Sequence, residues 1–440
     1  MQWTSPKKRA TSEDKAAFVR HLGVKMTPFS LLLLFVSIRF LQHLAERYLA
    51  FLNRKSYEDP VAYKNASSIL NINEADMKKT LTYSLDKYRY GKIQSWVSIT
   101  VTLGFIAFGG LGLIENFART FDYGEIFTGL IFFASLSVLS SLISIPFELY
   151  HTFVLEEKHG FNRQTIKGYL SDKMKGLIIG SILGGLILGL ILWIITSFES
   201  WWILAWLVVF AFSLLTVWLY PTFLAPLFNK FEPLSEGALK EKINALAEKV
   251  KFEADGISIM DASTRSSHGN AYFTGVFGKK KIVLFDTLVK AMNVDEIVAV
   301  LAHELGHFKL NHVRWSLIRS FFITGLMFFL MSLCQPIEAL YQAFGMEPST
   351  SYGALLVFSL WFGPVSFLLQ PFTNLISRKN EFAADAFALD HIQDKKLLGD
   401  ALLKLRENSN VMPISHPAFS TVYHSHPPLL ERLRAMGYIS

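Results

Sequence analysis

His303, Glu304 and His307 stand in the run Val298-Ala299-Val300-Leu301-Ala302-His303-Glu304-Leu305-Gly306-His307. The run is apolar and free of proline. Asn293-Val294-Asp295-Glu296 precedes it and can cap a helix with acids in its first turn. Side chains four apart on a helix share a face, so the two imidazoles can converge on one ion. Glu304 then lies beside that ion, placed to take a proton from water. This H-E-x-x-H pattern is the arrangement of zinc-assisted peptide hydrolysis. A buried structural histidine pair is the rival reading.

Two histidines leave zinc a protein ligand short when one position is kept for water. The best candidate for the third is Glu381, in Asn380-Glu381-Phe382-Ala383-Ala384-Asp385-Ala386. Asp385 shares its helical face and can accept the outer N–H of a ligand histidine. A solvated acidic face is the alternative, and the surrounding alanines favour close packing instead. Asn270, in Ser267-His268-Gly269-Asn270, precedes a short strand where an extended substrate can pair, or else marks only a turn. His426 is held by Pro427-Pro428 and can donate to the oxyanion of peptide hydrolysis. A helix start without catalytic role is the alternative there.

The elements that must position these groups are mostly membrane spans. The 440 residues are 51% hydrophobic and 14% aromatic, with mean hydropathy +0.32, too apolar for an ordinary soluble protein. The net charge of +7 reads as loop lysines and arginines facing anionic lipid, with no basic-aromatic motif for nucleic acid. A single cysteine, Cys334, excludes a disulfide framework and a cysteine-based zinc site.

After a polar, basic segment (Lys7, Lys8, Arg9), seven apolar runs predict spans: 28–44, 93–114, 126–146, 176–197, 201–220, 316–333 and 353–371. The first carries no secretory cleavage site and reads as retained. Gly180, Gly184, Gly185 and Gly189 offer the fourth a small-residue face for close helix packing, or else mark only a flexible apolar helix. The chain thus divides into a membrane region of five spans (1–220), a metalloprotease unit carrying the H-E-x-x-H helix (221–315), two further spans (316–372) and a C-terminal helical part (373–440).

Within the protease unit, residues 236–250 read as a helix, and 257–260 and 281–285 as short strands. Lys158, Arg163, Lys167, Lys173, Lys175 and Lys279 to Lys281 fall in loops on the His303 side. Positive-inside counting therefore places the site toward the cytoplasm and the N-terminus opposite, against the basic residues of that N-terminus.

Taken together, the motifs resemble the type I CaaX prenyl endopeptidases. The resemblance runs through most of the chain. It is carried by Leu85-Asp86-Lys87, by Phe153 to Asn162 with its Glu156-Glu157-Lys158-His159-Gly160-Phe161-Asn162, and by Pro226 to Phe231. It continues through Arg265 to Phe273, Ile282 to Leu288, His303 to His307, Asn380 to Asp385, His426-Pro427-Pro428 and Glu431-Arg432. Gly269 departs from the pattern, where many members carry serine.

The resemblance implies an α-helical integral membrane protein, seven helices around a water-filled chamber, capped by a small α+β zinc-metalloprotease domain. It implies one zinc per chain on His303, His307 and Glu381, Glu304 as base, and Asp385 as an acid or as support for a ligand histidine. Asn270, His426 and Arg432 become substrate or transition-state contacts. The implied partners are a prenylated C-terminus or other peptide and the bilayer, without nucleic acid. The C-terminal Ala435 to Ser440 lacks a lysine-rich retrieval tail and fits a bacterial inner membrane better than the endoplasmic reticulum. Two rival functions remain. One is quality control of misfolded or misinserted membrane proteins, the other a non-enzymatic seven-helix receptor or transporter.

Overall fold

The computed structural model describes residues 27–274 and 280–439. The basic segment with Lys7, Lys8 and Arg9 lies outside them, as does Lys279. The first helices are α1 (Pro28–Tyr57), α2 (Pro60–Ile69), α3 (Glu74–Ala107) and α4 (Gly110–Arg119). Their starts follow local chemistry. Thr27, Asp59 and Asn73 each accept a hydrogen bond from the first turn, and Pro28 and Pro60 open their helices without a donor to satisfy.

α5 (Glu125–Tyr150) runs on through a π-helical turn at His151–Glu156. α6 (Ile166–Ser197) and α7 (Trp201–Leu219) complete the first membrane region, with α7 continuing through a second π-turn to Phe228. Among the described residues, six helices are long and apolar enough to cross a membrane, and the bent pair α3–α4 raises the number to seven if it is one span. The second expected span, 93–114, is not one straight helix. It breaks at Phe108-Gly109 with a 62° bend, because Gly109 sits at φ +76°, a left-handed conformation that ends α3.

The spans close into a ring. α1 touches α3, each later element through α7 touches the next, and α7 touches α11 (His312–Cys334). α11 touches α13 (Ser351–His391), which returns to α1. α4, α12 (Glu338–Gln342) and the start of α13 plug one end of the ring around Phe35, Phe132, Phe344 and Tyr352. There Glu115, buried, accepts from the Tyr352 hydroxyl at 2.7 Å and from the Glu347 N–H at 2.9 Å. The protease unit covers the opposite end. Phe35 on α1 lies at the plug, whereas Asn53 on the same helix accepts from Ser415 beside the protease unit. The two ends of α1 therefore face opposite sides, and residue 27 lies away from the site. Gly180, Gly184 and Gly185 face open space, and Gly189 meets only Leu130 at ordinary contact distance. The expected close-packed glycine face is therefore absent. The ring is held by bulky side chains, such as Trp206 of α7 lying against Gly325 and Phe321 of α11.

The protease unit holds α8 (Ala238–Lys249) and a four-stranded sheet: β1 (Phe231–Pro233), β2 (Ala254–Met260), β3 (Ala271–Thr274) and β4 (Lys280–Phe285). The spatial order β1-β2-β4-β3 leaves β3 at the edge, antiparallel to β4 with Ala271 opposite Leu284. α9 (Asp286–Ala291) and α10 (Val294–Lys309) follow. α14 (Lys396–Ser409), α15 (Pro417–Tyr423) and α16 (Leu429–Ala435) complete it. Its core joins Ile243 and Leu246 of α8, Ile282 and Leu284 of β4, Ile297, Leu301 and Leu305 of α10 and Leu398 of α14.

Candidate active site

α10 begins where the sequence says it should. The Asn293 side chain accepts from the Glu296 N–H, and the Glu296 carboxylate accepts from the Asn293 N–H, both at 2.9 Å. One face of α10 carries the core residues, which leaves His303 and His307 on the face toward α13. The crossing is close because Gly306 lacks a side chain. A Cβ there would stand 3.0 Å from the Ala384 Cα and 3.1 Å from its carbonyl oxygen. Small residues on both helices thus bring the histidines against Glu381 and Asp385. α13 carries the acids directly from the membrane, continuing as one helix through Pro364 and Pro371.

His303, His307 and Glu381 each offer one ligand atom, and these atoms lie within 4.8 Å of one another. Nε2 of His303 lies 3.5 Å from Glu381, and Nε2 of His307 lies 3.2 Å from it. Oε2 of Glu381 is buried without a hydrogen-bond partner. Two imidazole nitrogens and an orphaned carboxylate oxygen are the donor set of a catalytic zinc site, so the residues fit a metal.

Behind them, Asp385 lies 2.8 Å from Nδ1 of His303. Arg432 forks onto the same carboxylate at 2.6 and 2.9 Å. Burial opposes a charged His303. The hydrogen-bonding carboxylates of Asp385 and Glu381 outweigh it, and the pKa is pushed up to about 9.

Glu304 makes no hydrogen bond among the described residues. Burial pushes its carboxyl above the usual range, against the pull of the His303 and His307 charges. It lines two cavities. One, of about 180 Å³, also includes Asn270, Glu381, His426 and Arg432. The other, of about 930 Å³, lies between α7 and α11 under the sheet and includes His307. His426 is largely exposed, with Nε2 3.3 Å from Glu381. The structure therefore brings six of the eight residues singled out in the sequence (Asn270, His303, Glu304, Glu381, His426 and Arg432) to the smaller cavity, with His307 on the wall of the larger one and Asp385 buried behind His303. Arg432 stands deeper than a substrate contact needs: two of its nitrogens are taken by Asp385, and Nη1 lies 3.8 Å from Glu381.

Two groups escaped the sequence reading. His312, at the start of α11, lies with Nδ1 3.0 Å from Nδ1 of His307. Its signal is a third histidine five residues beyond the motif, brought back by a turn at Asn311 (φ +58°). Asp172 on α6 holds Arg265, at 2.8 Å to Nε and 3.2 Å to Nη2. Arg265 also donates to Asn229 at 3.1 Å. Around it the membrane loop meets the segment before Asn270. Asn162 pairs with Ser266, Arg163 N–H donates to the Arg265 carbonyl, and His268 stacks on Phe161. Tyr83, Asp86, Glu156, Lys158 and His159 tie that loop to α3. The stretches Leu85–Lys87, Phe153–Asn162 and Pro226–Phe231 thus form one clasp around the segment that leads to Asn270.

Comparison with known proteins agrees with this architecture. Residues 61–230 match the model of the CAAX prenyl protease N-terminal region with five membrane helices, and residues 233–440 match peptidase family M48. The chain is 37% identical over 410 residues to CAAX prenyl protease 1 homolog of Arabidopsis thaliana, covering 91% of this chain and 96% of that one. It is 40% identical over 331 residues to CAAX prenyl protease 1 of Saccharomyces cerevisiae, covering 71% and 72%. The crystal structure of S. mikatae Ste24p superposes with a TM-score of 0.87 at 33% identity, over 93% of this chain and 99% of that one. With the ring of spans, the edge strand and the H-E-x-x-H helix all in place, the chain belongs to the CAAX prenyl protease family, peptidase family M48, and is a membrane-embedded metalloendopeptidase.

Proposed function

We propose that this protein hydrolyses a peptide bond near the C-terminus of prenylated CAAX proteins, with zinc held by His303, His307 and Glu381. The observation that carries the reading is the convergence of those three residues beside Glu304, at a cleft walled by an edge strand. The names of the relatives support the substrate class. Zinc bound there would supply a Lewis acid that acidifies water and polarises the scissile carbonyl.

The residues do the rest. β3 offers its free edge to an extended peptide, and Asn270, at its start, hydrogen-bonds the peptide backbone. Glu304 takes the proton of the attacking water and returns it to the leaving nitrogen, helped by a carboxyl that burial makes more basic. His426 donates to the oxygen on which charge develops. Asp385 accepts from Nδ1 of His303 and fixes its tautomer, while Arg432 holds Asp385 and keeps Nη1 3.8 Å from Glu381.

Loop charge supports a cytoplasmic site, with residue 27 on the opposite side. The relatives compared are eukaryotic, which supports a eukaryotic endomembrane over the bacterial inner membrane expected from the C-terminus. The test is hydrolysis of a farnesylated CAAX peptide by the purified protein in detergent, wild type beside Glu304→Gln, with metal analysis of both. The variant is expected to keep its metal and lose about 10²- to 10⁴-fold in kcat. Full activity with metal bound would overturn the assignment of the base. Equal hydrolysis of an unprenylated peptide would favour the quality-control reading.

A further inference from the structure

The two cavities that meet at Glu304 differ in size and in wall. The smaller, about 180 Å³, is closed by Leu288, Val300, Leu398 and Leu402 and has room for an amino-acid side chain. The larger, about 930 Å³, is a gallery between two membrane spans. Leu214 and Val217 of α7 form one wall and Leu317 and Phe321 of α11 the other. The helices are pinned together where Trp206 lies on Phe321 and donates to its carbonyl oxygen. Beyond that point toward the protease unit they enclose the gallery. At its inner end stand Glu304 and His307, and β3 contributes Tyr272 and Phe273.

We infer that this gallery seats the isoprenoid chain of the substrate, so that a lipidated residue next to the scissile bond is read by two membrane helices rather than by the protease unit alone. The inference rests on the substrate class proposed above and adds where the lipid lies. Three observations converge on that occupant. The wall is aliphatic and aromatic over most of its length, which suits a hydrocarbon chain. The gallery lies within apolar spans, so a prenyl chain stays in apolar surroundings from bilayer to active site. It also ends at the catalytic carboxylate and at the edge strand. A peptide lying along β3 with its scissile bond at Glu304 therefore has the neighbouring side chain at the gallery's inner end. Lys280 and Arg314 line the same cavity and place positive charge where the peptide part would pass.

The experiment uses the intact protein in lipid nanodiscs and a CAAX peptide whose farnesyl chain carries a terminal diazirine. After illumination, adducts mapped by mass spectrometry are expected on Leu214, Leu317 or Phe321, and adducts on Leu398 or Leu402 instead would overturn the inference. A second measurement fills the gallery with Leu214→Trp and Leu317→Trp. The ratio of kcat/KM for farnesylated over unprenylated peptide is expected to fall at least tenfold. An unchanged ratio overturns the inference whatever happens to the absolute rates. The two readings fail differently. A wild-type protein that hydrolyses both peptides equally overturns the substrate class and the occupant with it. A wild-type preference that survives the filled gallery overturns the gallery alone.

Discussion

His303, Glu381, Asp385 and Arg432 are buried, and each finds its partners on α10, α13 or α16. Asn270 and His426 border the same cleft in exposed positions, on loops rather than helices. The metal-facing half is thus made from two long helices whose crossing is fixed by Gly306 and Ala384. The exposed half is made from connections, and the one leading to Asn270 is tied to the membrane ring through Arg265, Asp172 and the 156–162 loop. The difference assigns two tasks. Helices fix the buried groups, and the clasp fixes the loop that leads into β3.

The comparison breaks hardest on the buried side. Asp385→Ala removes the partner of a guanidinium and an imidazole together, and losing one member of such a buried charge pair costs about 3–5 kcal/mol. The expected outcome is a large fall in thermal midpoint with loss of bound metal, read by unfolding in detergent and by metal analysis. A variant as stable and as metal-loaded as wild type would show that the Arg432 contact does not hold the site together.

On the other half, Arg265→Ala is expected to leave metal content intact and to lower kcat/KM for peptide by roughly 100-fold, the scale of a misplacement of about 1 Å at a reacting centre. If metal is lost as well, the two halves are not separately held. His312→Ala tests the boundary between them, since its ring reaches His307 from the first turn of a membrane span. Removal of a group that orients a metal ligand lowers metal affinity about 10- to 100-fold. Titration with a competing chelator measures it, and unchanged affinity would make the His312 contact incidental.

The same division explains what was legible in the sequence. The metal side is written at helical spacing: His303 and His307 four apart, Glu381 and Asp385 four apart, with alanines marking the contact. The spans were legible because length and hydropathy alone define them. The break at Gly109 was not, since a Phe-Gly-Gly-Leu-Gly run inside an apolar stretch has the same hydropathy bent or straight. The glycine stripe of α6 was ambiguous for a related reason. Small residues permit close packing but do not supply a partner, and among the described residues a Leu130 side chain at Gly189 is all that comes near. Asp172 and His312 were missed because their partners lie 93 and 5 residues away across a loop and a helix break, where periodicity carries no information.

A change of pH rather than of sequence sharpens the metal side through proton linkage. His303 faces Asp385 and Glu381 from α13, Arg432 from α16, and His307 and Glu304 on its own helix. Without metal, its pKa is pushed up to about 9, so near neutral pH it carries a proton. A metal ligand must be the neutral imidazole, and binding therefore expels that proton. The sign follows: metal affinity rises with pH up to about 9 and levels off above it, by about tenfold per unit for one proton released. Metal affinity measured between pH 6 and 9, with proton release followed in weak buffer, checks this. An affinity flat across that range would mean that His303 is neutral before the metal arrives, and that Asp385 accepts from its N–H without charging it.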